Sequence, residues 1–169
     1  MDKANNKTKI LDSESIAAKL KRIAYQIAEN NYDENELFLI GVKTRGTQIA
    51  KVLANHLGNI TDATIAVSTL TINKANPINE AIEYKVDLKK LNNKVVILVD
   101  DVSNSGRTLC YSIKPLLDFL PKKIQIAVLV DRMHKKFPIQ ADYVGTQLST
   151  SMQEYVKVNL DDEALVYLE

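Results

Sequence analysis

The run Val95-Val-Ile-Leu-Val99 constrains this chain more than any other stretch. It is apolar at every position, and a strand without polar alternation is one buried on both faces, as in a parallel sheet covered by helices. Two adjacent acids, Asp100 and Asp101, end the run. Small and hydroxyl residues follow at Ser103, Asn104, Ser105 and Gly106, then Arg107 and Thr108, before a helical pattern that begins near Leu109. This order of strand, paired carboxylates, tight turn and helix start has a chemical reading. Backbone N–H groups at a helix N-terminus attract an anion such as phosphate. Hydroxyls and a tight turn allow close approach, while the carboxylates remain free for sugar hydroxyls or a divalent metal. The stretch suits a phosphorylated sugar, and turn and helix-cap chemistry alone can produce the same order of residues. It lacks the Gly-Lys-Ser/Thr ending of a nucleotide P-loop.

The rest of the chain supplies a partner for it. Leu11-Asp12-Ser13 offers cap-type residues, and Ile16, Leu20, Ile23, Ala24 and Ile27 follow at helical spacing, which predicts an amphipathic first helix ending in the polar stretch 29–36. Leu37 to Val42 predicts a second buried strand. It ends in Lys43-Thr44-Arg45-Gly46, ahead of an amphipathic helix carrying Ile49, Ala50, Leu53, Ala54 and Leu57. One strand end is anionic and the other cationic. Side by side on the C-terminal edge of a parallel sheet they would form the crevice in which open α/β folds bind ligands.

Further elements follow the same logic. Ala63 to Thr71 predicts a third strand and Lys123 to Val130 a fourth, which ends in Asp131-Arg132. Between the third and central strands, residues 72–87 are polar, contain Pro77 and show no clean period, so they are expected to form a mobile loop or loose hairpin over the crevice. Pro115 should kink or shorten a helix running from about Ser105 to Phe119. Short extended segments are expected at 142–145, 155–160 and 165–168, at a sheet edge or in a hood. Gly41, Gly46, Gly106 and Gly145 fall at or beside strand ends, where close backbone approach is useful, and Gly58 reads as a helix C-cap.

At 169 residues the chain is expected to be one domain, with residues 1–9 disordered. One cysteine, Cys110, forbids an intrachain disulfide and points to a reducing compartment; no histidine lies near it to make it a nucleophile. The N-terminus lacks the apolar core of a signal peptide and no apolar run reaches membrane-spanning length, so a cytoplasmic location without membrane contact is expected. A net charge of +1 argues against a broad nucleic-acid surface, although lysines cluster at 89–94, 122–123 and 135–136.

Val-Val-Ile-Leu-Val-Asp-Asp-Val-x-x-Ser-Gly-Arg-Thr resembles the 5-phosphoribosyl-1-pyrophosphate (PRPP) signature of the type I phosphoribosyltransferases, and Gly41-Val-Lys-Thr-Arg-Gly46 resembles their pyrophosphate loop. Within that family the likeness is to the branch of bifunctional pyrimidine-operon attenuation regulators and uracil phosphoribosyltransferases. It extends to Leu11-Asp12, Arg22-Ile23-Ala24, Leu129-Val-Asp-Arg-x-His134, Pro138-Ile139-x-Ala-Asp-Tyr-Val-Gly145 and Thr150-Ser151, so it runs from about residue 10 to the C-terminus.

The resemblance implies an α/β fold with a mostly parallel sheet flanked by helices, a small hood and a mobile loop. It implies a Mg²⁺-dependent transfer from PRPP to a nucleobase, uracil first, giving UMP and pyrophosphate. Asp100 and Asp101 would take the ribose hydroxyls, directly or through Mg²⁺, and residues 103–108 would cradle the 5′-phosphate. Lys43, Thr44, Arg45 and Gly46 would hold pyrophosphate, while Asp131 and Arg132 would lie near the base and a second metal position, with Tyr155 in the base region. A homodimer or higher homo-oligomer is implied, and RNA is a further partner to consider. Two alternatives stay open: a UMP- or PRPP-responsive RNA-binding regulator, and a PRPP-binding protein with lost catalysis. The departures from the relatives' pattern fall on the mobile loop, where Thr71-Ile72-Asn73-Lys74 replaces an arginine and acids, on Ser103-Asn104-Ser105, and on Met133 and Gln140.

Overall fold

The computed structural model describes residues 7–149, 151 and 154–169. In chain order its elements are β1 (Thr8–Leu11), α1 (Ser13–Asn30), β2 (Glu36–Val42), α2 (Arg45–Leu57), β3 (Thr64–Thr71), β4 (Glu83–Tyr84), β5 (Val95–Ser103), α3 (Arg107–Ile113), β6 (Lys123–Arg132), β7 (Tyr143–Leu148), β8 (Val156–Asn159) and β9 (Leu165–Leu168). Six strands form a sheet in the order β4-β3-β2-β5-β6-β7, and β1-β9-β8 form a second, three-stranded sheet. From β3 through β7 the main sheet is parallel; only the two-residue β4 runs antiparallel, on the free edge of β3.

Why the central strands carry no polar residues follows from what covers them. Leu37, Leu39, Val95, Ile97 and Val99 pack in one cluster with Ile16, Leu20, Ile23 and Ile27 of α1 and with Ile49, Leu53 and Leu57 of α2. The alternate residues Phe38, Ile40, Val96 and Leu98 face the other side, against Leu109, Leu116, Leu91 and Leu70. Period-2 side-chain alternation thus delivers two apolar faces to two layers of cover. Helix α1 starts where Asp12 accepts a hydrogen bond of 2.9 Å from the Ser15 N–H, which also holds the Asp12 carboxyl below its ordinary pKa. The hood sheet is not separate from this core, because Leu11, Val158 and Val166 join the α1 cluster.

Three expectations change in detail. Residues 8 and 9, expected to be disordered, belong to strand β1, where Thr8 pairs with Leu168 and Lys9 with Tyr167; residues 1–6 lie outside the described residues. Strand β5 does not stop at Val99 but continues to Ser103, and β6 continues to Arg132, because Val102 pairs with Val130 and Ser103 with Asp131. Helix α3 ends at Ile113 and a 3-10 turn, Lys114–Asp118, takes over at Pro115, whose missing N–H cannot continue an α-helical ladder. Gly58 caps the C-terminus of α2 as expected, with a helical φ of −60° and its N–H donating to the Ala54 carbonyl at 2.9 Å. Residues 72–87 run outside regular structure except for β4, which Tyr84 anchors by donating from its half-buried phenol to the Ser112 carbonyl.

Candidate functional site

Register brings the charged segments to one edge. Gly41 of β2 pairs with Val99 of β5, and Ser103 of β5 pairs with Asp131 of β6, so the loops after β2, β5 and β6 all open at the C-terminal end of the sheet. Gly46, in the first turn of α2, lies directly on β5. A Cβ there would collide with the Val99 carbonyl oxygen and stand 3.1 Å from the Asp100 Cα. Only a residue without a side chain lets the cationic loop sit this close to the paired acids.

Both acids are buried, Asp100 at 2% and Asp101 at 5% exposure. They continue the strand by serving their own backbone. Asp100 Oδ1 accepts from the Asp101 N–H at 2.9 Å, and Asp101 Oδ1 accepts from the Val102 N–H at 2.9 Å. Their other partners are cations from two different loops. Arg45 Nε donates to Asp101 Oδ2 at 2.5 Å, and Lys74 Nζ reaches Asp100 Oδ1 at 3.5 Å. The two carboxyls consequently titrate apart. Burial, reinforced by the neighbouring Asp101 charge, pushes Asp100 up to about 7. Burial acts the same way on Asp101, but the Arg45 hydrogen bond and charge outweigh it and hold Asp101 below its ordinary value.

The turn after β5 forms a small basin of about 190 Å³, lined by residues 102–109 together with Lys74 and Asp100. Gly106 adopts φ of +81°, a left-handed conformation that lets the chain reverse into α3. The Arg107 N–H donates to Ser105 Oγ at 3.3 Å. The Arg107 guanidinium donates to the carbonyls of Lys74 at 2.8 Å and Ala75 at 3.2 Å, which fastens the long loop across the crevice. Thr108 lines the basin and Asn104 is exposed beside it.

On the β6 side a larger basin of about 510 Å³ is lined by Asp131, Met133, Lys135, Phe137, Ile139 and Gln140, among others. Asp131 and Arg132 are buried, and Arg132 donates to the Ser151 carbonyl at 3.1 Å. Tyr155 does not line this basin. It is 63% exposed and borders a separate one of about 520 Å³ with Arg132, His134 and Lys136. Lys43 and Thr44 are exposed; the peptide bond between them is cis, and the Lys43 N–H donates to the Leu70 carbonyl at 2.9 Å.

The structure therefore gathers Arg45, Asp100, Asp101 and Lys74 into one contact set and places residues 103–108 beside it. Asp131 stands apart from the paired acids, held by Lys135. Among the described residues no group of three or more His, Cys, Asp or Glu side chains is arranged to hold a metal. Lys135 is the residue that sequence reasoning missed. Its ammonium touches Asp131 and also Ser103 Oγ at 2.7 Å, and its only sequence signal is a cation four residues after an acid.

Known proteins resemble this chain in sequence and in fold. The family described as the phosphoribosyl transferase domain matches residues 6–162. A relative from Macrococcus caseolyticus named Bifunctional protein PyrR is 35% identical over 169 residues, covering 94% of this chain and 97% of the relative. Another of the same name from Alkaliphilus metalliredigens is 39% identical over 158 residues, covering 89% of this chain and 87% of the relative. Among solved structures, a hypoxanthine phosphoribosyltransferase of Trypanosoma cruzi superposes with a TM-score of 0.75 at 19% identity, covering 94% of this chain and 95% of that one. A hypoxanthine-guanine phosphoribosyltransferase from Bacillus anthracis gives 0.71 at 23% identity, covering 84% and 82%. These structures share the fold. Among the described residues no helix is long and apolar enough to cross a membrane.

Proposed function

The chain belongs to the phosphoribosyl transferase domain family, a family of PRPP-dependent transferases, and from that premise we propose that its base is uracil and its products UMP and pyrophosphate. The observation that carries the site assignment is the approach of Arg45, on the cationic loop, to within 2.5 Å of Asp101, on the strand end that bears the paired acids. Charges of both signs converge where PRPP has a ribose diol beside a pyrophosphate.

In this reading the C1′–oxygen bond of PRPP breaks and its electron pair leaves with pyrophosphate. The base nitrogen forms the new bond to C1′, and the proton it carried passes to solvent. Positive charge grows on the ribose as negative charge grows on the leaving group. Asp100 and Asp101 hold the ribose hydroxyls, Lys43 and Arg45 face the leaving pyrophosphate, and residues 103–108 hold the 5′-phosphate. Arg45 and Lys74 give up their contacts with the acids and turn to phosphate oxygens when PRPP enters. The chemistry is positioning and electrostatics, without a covalent intermediate on the protein.

The donor set also suits Mg²⁺. A hard cation that retains waters and binds through one or two carboxylates plus substrate oxygens needs no protein cage, and two buried neighbouring acids without a third ligand fit that habit. Asp100 and Asp101 would hold it, and it would neutralise charge on the leaving pyrophosphate. The test is UMP formation from uracil and PRPP, with hypoxanthine and guanine run in parallel. Turnover of uracil alone supports the reading; consumption of a purine, or of no base, refutes the assignment.

A second reading is favoured by one surface. Arg132, His134, Lys135 and Lys136 surround a basin of about 520 Å³ with Tyr155 at its rim, a cationic and aromatic combination suited to RNA. We propose on that ground that the protein also binds RNA in response to UMP or PRPP, as a homodimer. Gel-shift with pyrimidine-gene leader RNA at several salt concentrations, with and without UMP, decides it: absent or salt-insensitive binding removes the reading.

A further inference from the structure

The segment after β6 is built against the phosphate loop at every level. The backbone N–H groups of Lys136 and Phe137 donate to the Ser105 carbonyl at 3.0 and 3.1 Å. The Ile139 side chain stands where a Cβ on Gly106 would come within 3.2 Å. Lys135 supplies the charged part. Its Nζ donates to Ser103 Oγ at 2.7 Å, to the Ser103 and Asn104 carbonyls at 3.4 and 3.3 Å, to the Arg132 carbonyl at 3.2 Å and to the Asp131 carboxylate.

Five oxygens around one ammonium is more than its three protons can serve in full. Four of the five belong to the ends of β5 and β6 and the fifth to Asn104, the residue after β5, and the side chain carrying the ammonium is only 26% exposed. An ion pair on open surface contributes little, but one held in a partly buried node of this kind fixes geometry. The same lysine lines the basin on the β6 side, so it forms the wall between that basin and the phosphate loop.

Resting on the phosphoribosyl-transfer reading, we propose that Lys135 is a positioning residue: it ties the 5′-phosphate loop to Asp131, so that the acid on the base side sets the shape of the phosphate cradle without touching phosphate. The first turn of the loop has Ser103 and Asn104 presenting their carbonyls to the ammonium. Without that cation the carbonyls would repel one another and the phosphate alike, and the loop would relax.

Simple electrostatics and positioning make opposite forecasts for one substitution. Asp131→Asn removes a negative charge near the anion site, so charge alone would tighten binding of a phosphate ligand. If Asp131 holds Lys135 in its node, the same substitution loosens the cradle and weakens binding. Ribose 5-phosphate, which has no base, is the probe that separates the two.

The experiment measures dissociation constants of ribose 5-phosphate and UMP by calorimetry for the wild-type protein, Lys135→Met, Asp131→Asn and the double variant, each below its own melting temperature. The expected result is a weakening of about tenfold to a hundredfold for both ligands in Lys135→Met, the range for loss of charged hydrogen bonds. Asp131→Asn should weaken ribose 5-phosphate in the same direction, and the double variant should bind no worse than Lys135→Met alone. Tighter or unchanged binding of ribose 5-phosphate by Asp131→Asn overturns the proposal, as does a loss in Lys135→Met confined to UMP. Should Lys135→Met not fold, Asp131→Asn alone still decides. A wild-type protein that binds neither ligand overturns the transferase site itself, an outcome distinct from intact binding that the variants fail to alter.

Discussion

Arg45 and Asp101, 56 residues apart in sequence, stand 2.5 Å apart across the crevice, the arginine half exposed and the acid almost fully buried. Because the arginine side is open to water, the pair contributes on the order of 1 kcal/mol or less to stability. In transfer, by contrast, both groups face developing charge, and loss of one preorganised donor there costs about a hundredfold to a thousandfold. Arg45→Ala should therefore leave the melting temperature within a few degrees of wild type and lower kcat/KM for PRPP by about two orders of magnitude. Asp101→Asn should do the same for UMP formation. A variant that melts far earlier, or turns over normally, would show that the pair is structural.

The two acids divide the pH axis between them. The folded protein raises Asp100 from its ordinary 3.8 to about 7, so it favours the protonated form. Stability from this group is fully present below about pH 4 and is lost as pH rises through about 7. Asp101 is held low, and its contribution has the opposite sense: present above its unfolded value and lost as pH falls below it. Between about pH 4 and pH 7 the Asp100 effect should dominate this pair. Chemical denaturation of ligand-free protein across that window, compared with Asp100→Asn, should show the wild type losing stability relative to the variant as pH rises. Parallel pH profiles would mean that the burial of Asp100 does not perturb it.

How far these contacts were readable depends on what kind of residue makes them. Val95 to Val99 and Leu37 to Val42 announce two-sided burial because no polar residue interrupts them, and the opposite charges that follow them announce a crevice. The continuation of β5 through Asp100 and Asp101 was not readable. Two adjacent acids argue against a buried strand until the carboxylates are seen bonding the next backbone N–H groups. Strand β1 was equally hidden, since Thr8 and Lys9 gain their place only from Leu168 and Tyr167 at the far end of the chain. Lys135 follows Asp131 by four residues, which on any helix or turn reads as a surface ion pair; its role comes from Ser103 and Asn104, 32 and 31 residues upstream. Tyr155 had no periodicity to place it, and the structure sets it outside the basin lined by Asp131.

Arg107 ties the long loop down through two backbone carbonyls, those of Lys74 and Ala75, at 2.8 and 3.2 Å. Both bonds leave from one guanidinium nitrogen, Nη2, and bind no particular side chain, so the latch depends on where that nitrogen reaches rather than on the loop's composition. Arg107→Lys retains the charge but ends in a compact ammonium on a shorter, differently shaped side chain, so the nitrogen that serves both carbonyls is lost. Hydrogen exchange over residues 72–82 should accelerate in Arg107→Lys while exchange in β5 and β2 stays slow. The anchor at Tyr84, whose half-buried phenol donates to the Ser112 carbonyl, limits the opening to the part of the loop before β4. Equal protection in variant and wild type would show that the loop is held by other contacts.

Two glycines at the ends of α2, Gly46 in its first turn and Gly58 just past its last residue, test whether close approach, rather than glycine itself, builds the crevice. At Gly46 a Cβ would strike the Val99 carbonyl oxygen, a backbone atom of a central strand that cannot swing aside. Gly46→Ala must move the start of α2 or the end of β5, and either movement separates Arg45 from Asp101. Overpacking of this kind costs about 1–3 kcal/mol, and activity should fall further than that loss of stability explains. At Gly58 the φ is −60° and the nearest atom to a Cβ, the Ala54 carbonyl oxygen, lies at an ordinary 3.4 Å. Gly58→Ala should therefore be neutral or stabilising by about 0.4–1 kcal/mol, because it restricts only the unfolded chain. Urea denaturation and UMP formation measured on both variants separate the cases. Equal effects at the two positions would mean that α2 does not rest on β5 at Gly46, and the convergence of the two charged loops would need another cause.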